Sequence, residues 1–231
     1  MNKQGNIYTF IYASALVIVV AALLAFVSQG LRPQQAKNEE IAKKRDILRS
    51  INIKTTSDNA EAMFDKIIGA SSYIVDSIGN KVDDDAFAVD MAKELRKTAG
   101  NRAYPIYEAR LESGELKYIL QVRGTGLWGP IWGYISLDDN KNTIYGATFG
   151  HKGETPGLGA EIDKPAFQQQ FQGKQLFDND GKLASIAINK GKAPETALHE
   201  VDAISGGTIT SKGVEAMLID FFAGYENFLK Q

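Results

Sequence analysis

The sequence predicts an α+β protein, with one N-terminal transmembrane helix followed by a single domain that has an antiparallel sheet and a C-terminal amphipathic helix. Three observations lead to this fold class. Residues 7–27 are apolar and uncharged, and residues 104–150 contain four strand-like runs separated by turn residues. Over residues 211–229, apolar side chains recur at three- and four-residue steps. The chain has 231 residues, of which 44% are hydrophobic, and this suits a packed core.

The composition excludes several classes of function. The net charge of −2 provides no global basic field, so we expect no nucleic-acid binding. Cysteine is absent, which rules out disulfides, thiolate-ligated iron–sulfur or zinc centres, and a thiol nucleophile. The only histidines are His151 and His199, too few for a histidine-rich metal site. We therefore expect no metal site and no catalytic acid, base or nucleophile of a hydrolase.

The N-terminal segment is long enough to cross a bilayer. Residues 7–27 read IYTFIYASALVIVVAALLAFV, and a helix of this length spans about 30 Å. The run exceeds the apolar region of a typical signal peptide, so an uncleaved anchor in the lipid bilayer is favoured over a cleaved leader. Because Pro33 is expected to end this region, the predicted division is an anchor over 1–31, a juxtamembrane helix or linker over 32–55 and a domain over 56–231.

The charges beside the anchor predict an orientation. The C-terminal flank carries more lysine and arginine than the N-terminal flank, namely Arg32, Lys37, Lys43, Lys44 and Arg45 against Lys3 and the terminal amine. Counted by the positive-inside rule, this places the domain in the cytoplasm.

The domain is predicted to begin with short elements. A helix over 57–69 has Ser57 or Asp58 as its N-cap and Gly69 as its stop. A short strand is expected over 75–78. A helix over 83–97 begins with acidic residues and ends with basic ones, which matches the helix dipole.

Strands then dominate. Residues 104–111 and 116–123 predict one hairpin, and residues 131–137 and 143–150 predict a second. A short helix over 165–172 and a strand over 183–190 follow. The last helix, over 211–229, is expected to be capped by Thr210 or Ser211.

Two glycine-rich loops carry residues suited to a ligand. Residues 124–129, GTGLWG, match the dinucleotide fingerprint, but Pro130 and a strand follow where that fingerprint requires a helix. A loop between strands remains, and its Trp128 either packs in the core or lies beside a flat ligand. The second loop, HKGETPGLGAEI at 151–162, offers Glu154, Thr155 and Leu158, a mixture that suits a ring with polar edges.

A third stretch lies directly before the C-terminal helix. Residues 202–213 read DAISGGTITSKG, so free backbone N–H groups and the positive end of the helix dipole can meet a phosphate there. The residues alone are equally consistent with a simple helix cap after a flexible turn.

These residues resemble a known family. D-x-x-S-G-[AG]-T-x-T is the flavinylation signature of proteins that carry FMN in phosphoester linkage to threonine, and here it comprises Asp202, Ser205, Gly206, Gly207, Thr208 and Thr210. The chain departs from the usual alanine at position 207. With RGTGLWGPIWGYI, HKGETPGLGAEI and the anchor, nearly the whole chain resembles the C subunits of Na⁺-translocating NADH:quinone reductases, which contain an FMN-binding domain.

The resemblance implies a function. Thr210 would carry the FMN phosphate, installed by a separate flavin transferase that uses FAD and Mg²⁺ and reads Asp202. The protein would relay electrons between an iron–sulfur centre and a neighbouring flavin in a multi-subunit membrane complex of oxidoreductase activity, which couples NADH oxidation and quinone reduction to Na⁺ export. The resemblance also places the domain in the periplasm of a bacterial inner membrane, against the charge count.

The resemblance further implies residue roles. Ser205, Gly206 and Thr208 would form the phosphate-side turn, and Lys212 would help to neutralise the phosphate. The isoalloxazine ring would lie against residues of the two glycine-rich loops, namely Glu154, Thr155, Leu158, Gly159 and Trp128. Two alternatives remain at this point: the G subunit of an Rnf-type ferredoxin:NAD⁺ complex, and a membrane-anchored binding module without a cofactor.

Overall fold

The N-terminal helix is longer than the sequence predicts. A computed structural model describes residues 5–82, 84–194 and 196–231, and its contacts divide the chain into two units, Met1–Lys43 and Lys44–Gln231. Helix α1 spans Asn6–Ser50 and includes Pro33. The prediction that Pro33 ends the helix is therefore wrong. A proline ring removes one helical hydrogen bond, and the good helix formers that follow, from Gln34 onwards, carry the helix on.

The first unit is a membrane-spanning helix. An 18-residue window of α1 has a mean hydropathy of 2.8, and none of it is buried by protein. Large apolar side chains such as Ile7 and Phe26 are 74% and 80% exposed, which suits lipid rather than water. Within the described residues, this is the one helix long and apolar enough to cross a membrane, so the chain is a single-pass, membrane-anchored protein.

The second unit is built on a six-stranded antiparallel sheet of order β2-β1-β3-β4-β5-β6. Its strands are β1 Ser72–Val75, β2 Lys81–Val82, β3 Tyr104–Arg110, β4 Leu116–Thr125, β5 Pro130–Leu137 and β6 Ile144–His151. Both predicted hairpins are confirmed, as β3–β4 and β5–β6. Alternating side chains enter two separate cores on the two faces of the sheet.

Helices cover both faces of this sheet. The C-terminal helix α5, Thr208–Leu229, buries Val214, Leu218 and Phe222 in one core. The end of α1 and helix α2, Ala60–Ile67, supply the other core, with Ile47 and Leu48 fully buried. The fold class is therefore α+β, as predicted.

Several short elements differ from their predicted bounds. Strand β1 shares only Val75 with the predicted span 75–78 and extends from there towards the N-terminus. Helix α2 begins after Asn59, and neither Ser57 nor Asp58 caps it, although Gly69 does follow its end with a positive φ of 52°. The predicted strand over 183–190 is reduced to β7, Ala187–Asn189, which pairs in parallel with an unpredicted strand β8, Glu200–Asp202.

The single helix predicted over 83–97 is broken into two pieces. A 3₁₀ turn spans Ala86–Ala88 and helix α3 spans Met91–Glu94. Asp85 and Asp90 each accept backbone N–H groups of the next turn, so each aspartate starts a new element. Asp83 lies outside the described residues. Further 3₁₀ turns span Ala99–Asn101, Gly159–Asp163 and Gln169–Phe171, and the short helix predicted at Pro165 is present as α4, Pro165–Gln168.

Candidate functional site

Three loops meet at the start of α5 and enclose a pocket of about 410 Å³. They are the turn between β4 and β5, the loop after β6 and the turn before α5. Nine of the residues selected from the sequence line this pocket: Trp128, Glu154, Thr155, Leu158, Gly159, Gly206, Gly207, Thr208 and Thr210. The volume lies in the range of ordinary small-molecule and cofactor sites.

A buried carboxylate and a buried hydroxyl form the floor of the pocket. The Oγ1 atom of Thr210 donates to Oε2 of Glu154 at 2.5 Å, and the backbone N–H of Trp128 donates to Oε1 at 2.8 Å. Thr210 is 1% exposed and Glu154 is 4% exposed. Glu154 therefore links all three loops. The sequence places Glu154 beside the isoalloxazine ring, whereas the structure places its carboxylate against the Thr210 hydroxyl.

Glycines make room for this pair. A Cβ atom on Gly159 would lie inside van der Waals contact of both Glu154 Oε2 and Thr210 Oγ1. A Cβ atom on Gly126 would lie 2.6 Å from Glu154 Oε1. Gly126 was not selected from the sequence; its signal was its place in GTGLWG, where the backbone must approach another group closely.

The first turn of α5 opens into the same pocket. The helix begins at Thr208 with Gly207 before it, and no side chain caps the free amides. The prediction that Thr210 or Ser211 caps the helix is therefore wrong. Both lie within the first turn, where Ser211 Oγ accepts the N–H of Ile204 at 3.0 Å. The uncapped amides lie at the positive end of a 22-residue helix, a position that favours negative charge.

The rim of the pocket is apolar and exposed. Leu127, Trp128, Leu158 and Ile209 are 49%, 69%, 42% and 61% exposed. The exposure of Trp128 excludes the core role considered for it. Exposed large apolar side chains that gather around one opening mark a ligand or partner site. Leu127 and Ile209 were not selected from the sequence, although each is an apolar residue inside a glycine-rich motif.

Comparison with known proteins identifies the family. A model of the FMN-binding domain family matches residues 126–222. The C subunit of the Na⁺-translocating NADH-quinone reductase of Vibrio anguillarum is 33% identical over 98% of this chain and 94% of its own length, and that of Pseudomonas aeruginosa is 32% identical over 98% and 95%. The chain belongs to the family of these C subunits.

Solved structures of the family share the fold. The crystal structure of the C subunit from Parabacteroides distasonis has a TM-score of 0.80 and 47% identity, and covers 87% of this chain and 98% of its own. The crystal structure of NqrC from Shewanella oneidensis has a TM-score of 0.71 and 28% identity, and covers 84% of this chain and 97% of its own.

The pocket of this member of the family fits FMN. Uncapped amides suit the phosphate, and an exposed apolar rim suits the isoalloxazine ring. At position 207, where the family signature usually has alanine, a Cβ atom would lie 2.9 Å from Ile204 Cγ2 and 3.1 Å from the carbonyl carbon of Leu158. Glycine therefore relieves close packing at this position of the chain.

Two signature residues lie on the other side of the turn. Asp202 and Ser205 line a second pocket of about 470 Å³, together with Lys190 and Lys192. The carboxylate of Asp202 accepts the N–H of Ala193 at 2.5 Å and so fixes the loop after β7. The structure does not bring Asp202 or Ser205 to the pocket of Thr210.

Two further side chains have structural partners. Lys212 lies 2.7 Å from Glu215 Oε2, so it is paired within α5 and does not line the Thr210 pocket. His151 accepts the N–H of Glu154 at its Nδ1 atom, at 3.2 Å, and its Nε2 lies 3.7 Å from Asp163 Oδ2. His151 therefore braces the loop that carries Glu154.

Proposed function

We propose that this chain is the FMN-carrying electron-relay subunit of a Na⁺-translocating NADH:quinone reductase, with FMN joined to Thr210 by a phosphoester bond. One observation carries the proposal. The buried hydroxyl of Thr210 lies at the uncapped N-terminus of α5, on the floor of a pocket with an exposed apolar rim. The family match and the covalent signature at 202–210 support the same assignment.

The residues of the pocket have separable roles in this proposal. The amides of the first turn of α5 and the turn at Gly206 and Gly207 hold the phosphate. The positive φ of 73° at Gly206 favours glycine there, because L side chains are strained in that conformation. Trp128 and Leu158, with Thr155 and Gly159 beside them, hold the isoalloxazine ring and exclude water from one face.

The mechanism needs no acid, base or nucleophile from the protein during turnover. FMN supplies the redox chemistry when bound, and the protein binds it, orients it and sets its electrostatic environment. The helix dipole stabilises the phosphate charge, and the apolar rim lowers the polarity around the ring. Attachment to Thr210 prevents loss of the flavin from a site that opens to solvent.

The proposal also covers partners and orientation. A separate flavin transferase reads Asp202 and its neighbours, and other subunits of the complex exchange electrons with the flavin. We assign the domain to the periplasm, as the resemblance to the family implies; the flanking charges do not exclude this side, because long domains translocate largely regardless of them. Since the chain has no cysteine, Ser113→Cys in the exposed β3–β4 turn should react with an impermeant maleimide in intact cells. Labelling only after lysis would contradict this orientation.

The covalent linkage is tested by removing the acceptor hydroxyl. Full-length protein and Thr210→Ala are each expressed with an active flavin transferase, and the denatured chains are examined for in-gel flavin fluorescence. We expect fluorescence from the wild type alone. Thr196→Ala is the matched control, because Thr196 is exposed and lines neither of the two pockets described above. Fluorescent Thr210→Ala would exclude Thr210 as the acceptor, and non-fluorescent wild type would favour the cofactor-free binding module.

The Rnf-type alternative is not favoured, because the relatives reported above are C subunits of the Na⁺-translocating reductase.

A further inference from the structure

We propose that a third cavity of the second unit binds a small dicarboxylate that carries a hydroxyl group. The cavity has a volume of about 250 Å³ and lies between the end of α1, strand β6 and the segment that begins with α4. Among the described residues, it shares no lining residue with the pocket of Thr210. Binding there is therefore independent of FMN and of the residue that carries it.

One wall of the cavity is the end of α1, which is fixed against the sheet. Ser136 Oγ donates to the carbonyl of Ser50, the last residue of α1, at 2.6 Å. Just beyond the helix, Asn52 Nδ2 donates to the carbonyl of Tyr145 on β6 at 3.4 Å. Gly146 lies against Ser50 so closely that a Cβ atom there would overlap the Ser50 carbonyl oxygen. The wall is therefore formed before any ligand binds.

Two cations on this wall determine the charge of the cavity. Arg49 and Lys54 both line it, and no described lining residue is acidic. Arg49 Nη2 donates to Asp46 Oδ1 at 2.8 Å, which orients the guanidinium and leaves its other N–H groups available. Lys54 is exposed and forms no ion pair with a described residue. Two separate cations favour a dianion, with one carboxylate for each, because charge-assisted hydrogen bonds are stronger than neutral ones.

A buried amide in α4 supplies a hydrogen-bond acceptor. Gln168 is 8% exposed, and its Nε2 donates to the carbonyls of Phe149 at 3.1 Å and Ile162 at 3.2 Å. Because both partners are acceptors, the nitrogen must face them, and this fixes the orientation of the amide. No described residue donates to Oε1, which stays open to solvent on the lining of the cavity. A largely buried acceptor without a donor is costly, so a ligand hydroxyl is favoured there.

The size of the cavity and these three side chains define the ligand. The volume lies below that of ordinary cofactor sites and equals the share of about eight water molecules, which limits the ligand to an acid of about four carbons. Each carboxylate accepts hydrogen bonds from Arg49 or Lys54, and the hydroxyl donates to Gln168 Oε1. A fully ionised phosphate offers only acceptors, so it leaves Gln168 Oε1 without a donor.

The test is calorimetric titration of full-length protein in detergent at low ionic strength, with L-malate as the probe. Succinate has the same two carboxylates without the hydroxyl, L-lactate has the hydroxyl with one carboxylate, and inorganic phosphate is a plain anion. Lys54→Gln removes one cation from the cavity without breaking an ion pair between described residues. Lys182→Gln is the matched control, because Lys182 is also exposed and does not line the cavity.

We expect L-malate to bind once per chain and to raise Tm, because a ligand that binds only the folded state stabilises it. Succinate should bind about 5–10-fold more weakly, since one neutral hydrogen bond is lost, and L-lactate about 10-fold or more weakly, since one charged partner is lost. Lys54→Gln should weaken L-malate binding about 10-fold or more, and Lys182→Gln should stay within about 2-fold of wild type. Thermal unfolding of each variant without ligand checks its fold.

Several results would overturn the proposal. Wild type that gives no heat of binding with L-malate at up to about 10 mM would exclude the site. Equal affinities of wild type and Lys54→Gln, or an equal loss in Lys182→Gln, would exclude a specific role of Lys54. Succinate or phosphate that binds as tightly as L-malate would exclude the hydroxyl contact to Gln168, and L-lactate that does so would exclude a dianion. None of these results bears on flavin attachment, which in-gel fluorescence measures separately.

Discussion

The substitution Gly159→Ala tests the packing of the proposed site most sharply. The added Cβ would lie inside van der Waals contact of Glu154 Oε2 and Thr210 Oγ1, and 3.1 Å from Thr210 Cβ. All of these neighbours are buried, so none can swing into solvent. The hydrogen bond between Thr210 and Glu154 must therefore lengthen or break.

The expected cost follows from two contributions. Overpacking a buried position costs about 1–3 kcal/mol, and loss of a hydrogen bond to a charged group costs about 1.5–3 kcal/mol. Replacing glycine by alanine offsets about 0.4–1 kcal/mol of this through the unfolded chain. The net destabilisation is about 3 kcal/mol, which lowers Tm by about 6–12 °C for a domain of this size.

The assay is thermal unfolding of full-length, flavin-free protein in detergent. Gly153→Ala is the matched control, because Gly153 lies on the same loop and a Cβ there meets nothing within 4 Å. Its Tm should stay within about 2 °C of wild type. If Gly159→Ala unfolds at the same temperature as Gly153→Ala, the close packing of Gly159, Glu154 and Thr210 is refuted.

Two further predictions concern an exposed and a buried side chain. Trp128→Ala should change the free energy of unfolding by less than about 0.5 kcal/mol, because the side chain is 69% exposed. The same substitution should alter the visible absorption spectrum of the bound flavin. An unchanged spectrum would contradict contact between Trp128 and the flavin ring. Burial raises the pKa of the Asp46 carboxyl, while Arg49 and Trp132 oppose the shift. The folded state therefore binds a proton at Asp46 more tightly than the unfolded state does. The ionised Asp46 carboxylate lowers the free energy of unfolding at neutral pH, and this loss disappears as the pH falls and the carboxylate is protonated. In urea unfolding at pH 8, the free energy of unfolding of Asp46→Asn should equal or exceed that of wild type, and the difference should vanish at acid pH. A variant that is less stable than wild type at pH 8 would contradict the expected direction.

Local patterns were sufficient to predict much of the fold. The alternation of apolar residues and the turn residues of residues 104–150 predicted both hairpins, since a strand with one covered face has a period of two. The periodic apolar face of residues 211–229 predicted α5 in the same way. The glycine-rich motifs located the three loops that form the pocket.

The errors arose where local signals compete or where distant residues meet. The sequence places Asp85 and Asp90 within one predicted helix, but their side chains accept nearby backbone N–H groups and interrupt that helix. Strand β8 is three residues long and depends on its partner β7, so no periodicity marks it. The contact between Glu154 and Thr210 joins residues 56 apart, and no spacing rule predicts it.

The central claim is that Thr210 carries the flavin, and peptide mapping tests it most directly. Trypsin is expected to release residues 193–212, which hold Thr208, Thr210 and Ser211 in one peptide. Protein made with an active flavin transferase should yield this peptide with the mass of one FMN less one water added, and fragmentation should assign the addition to Thr210. The same peptide without added mass, or with the addition on Thr208, would contradict the account.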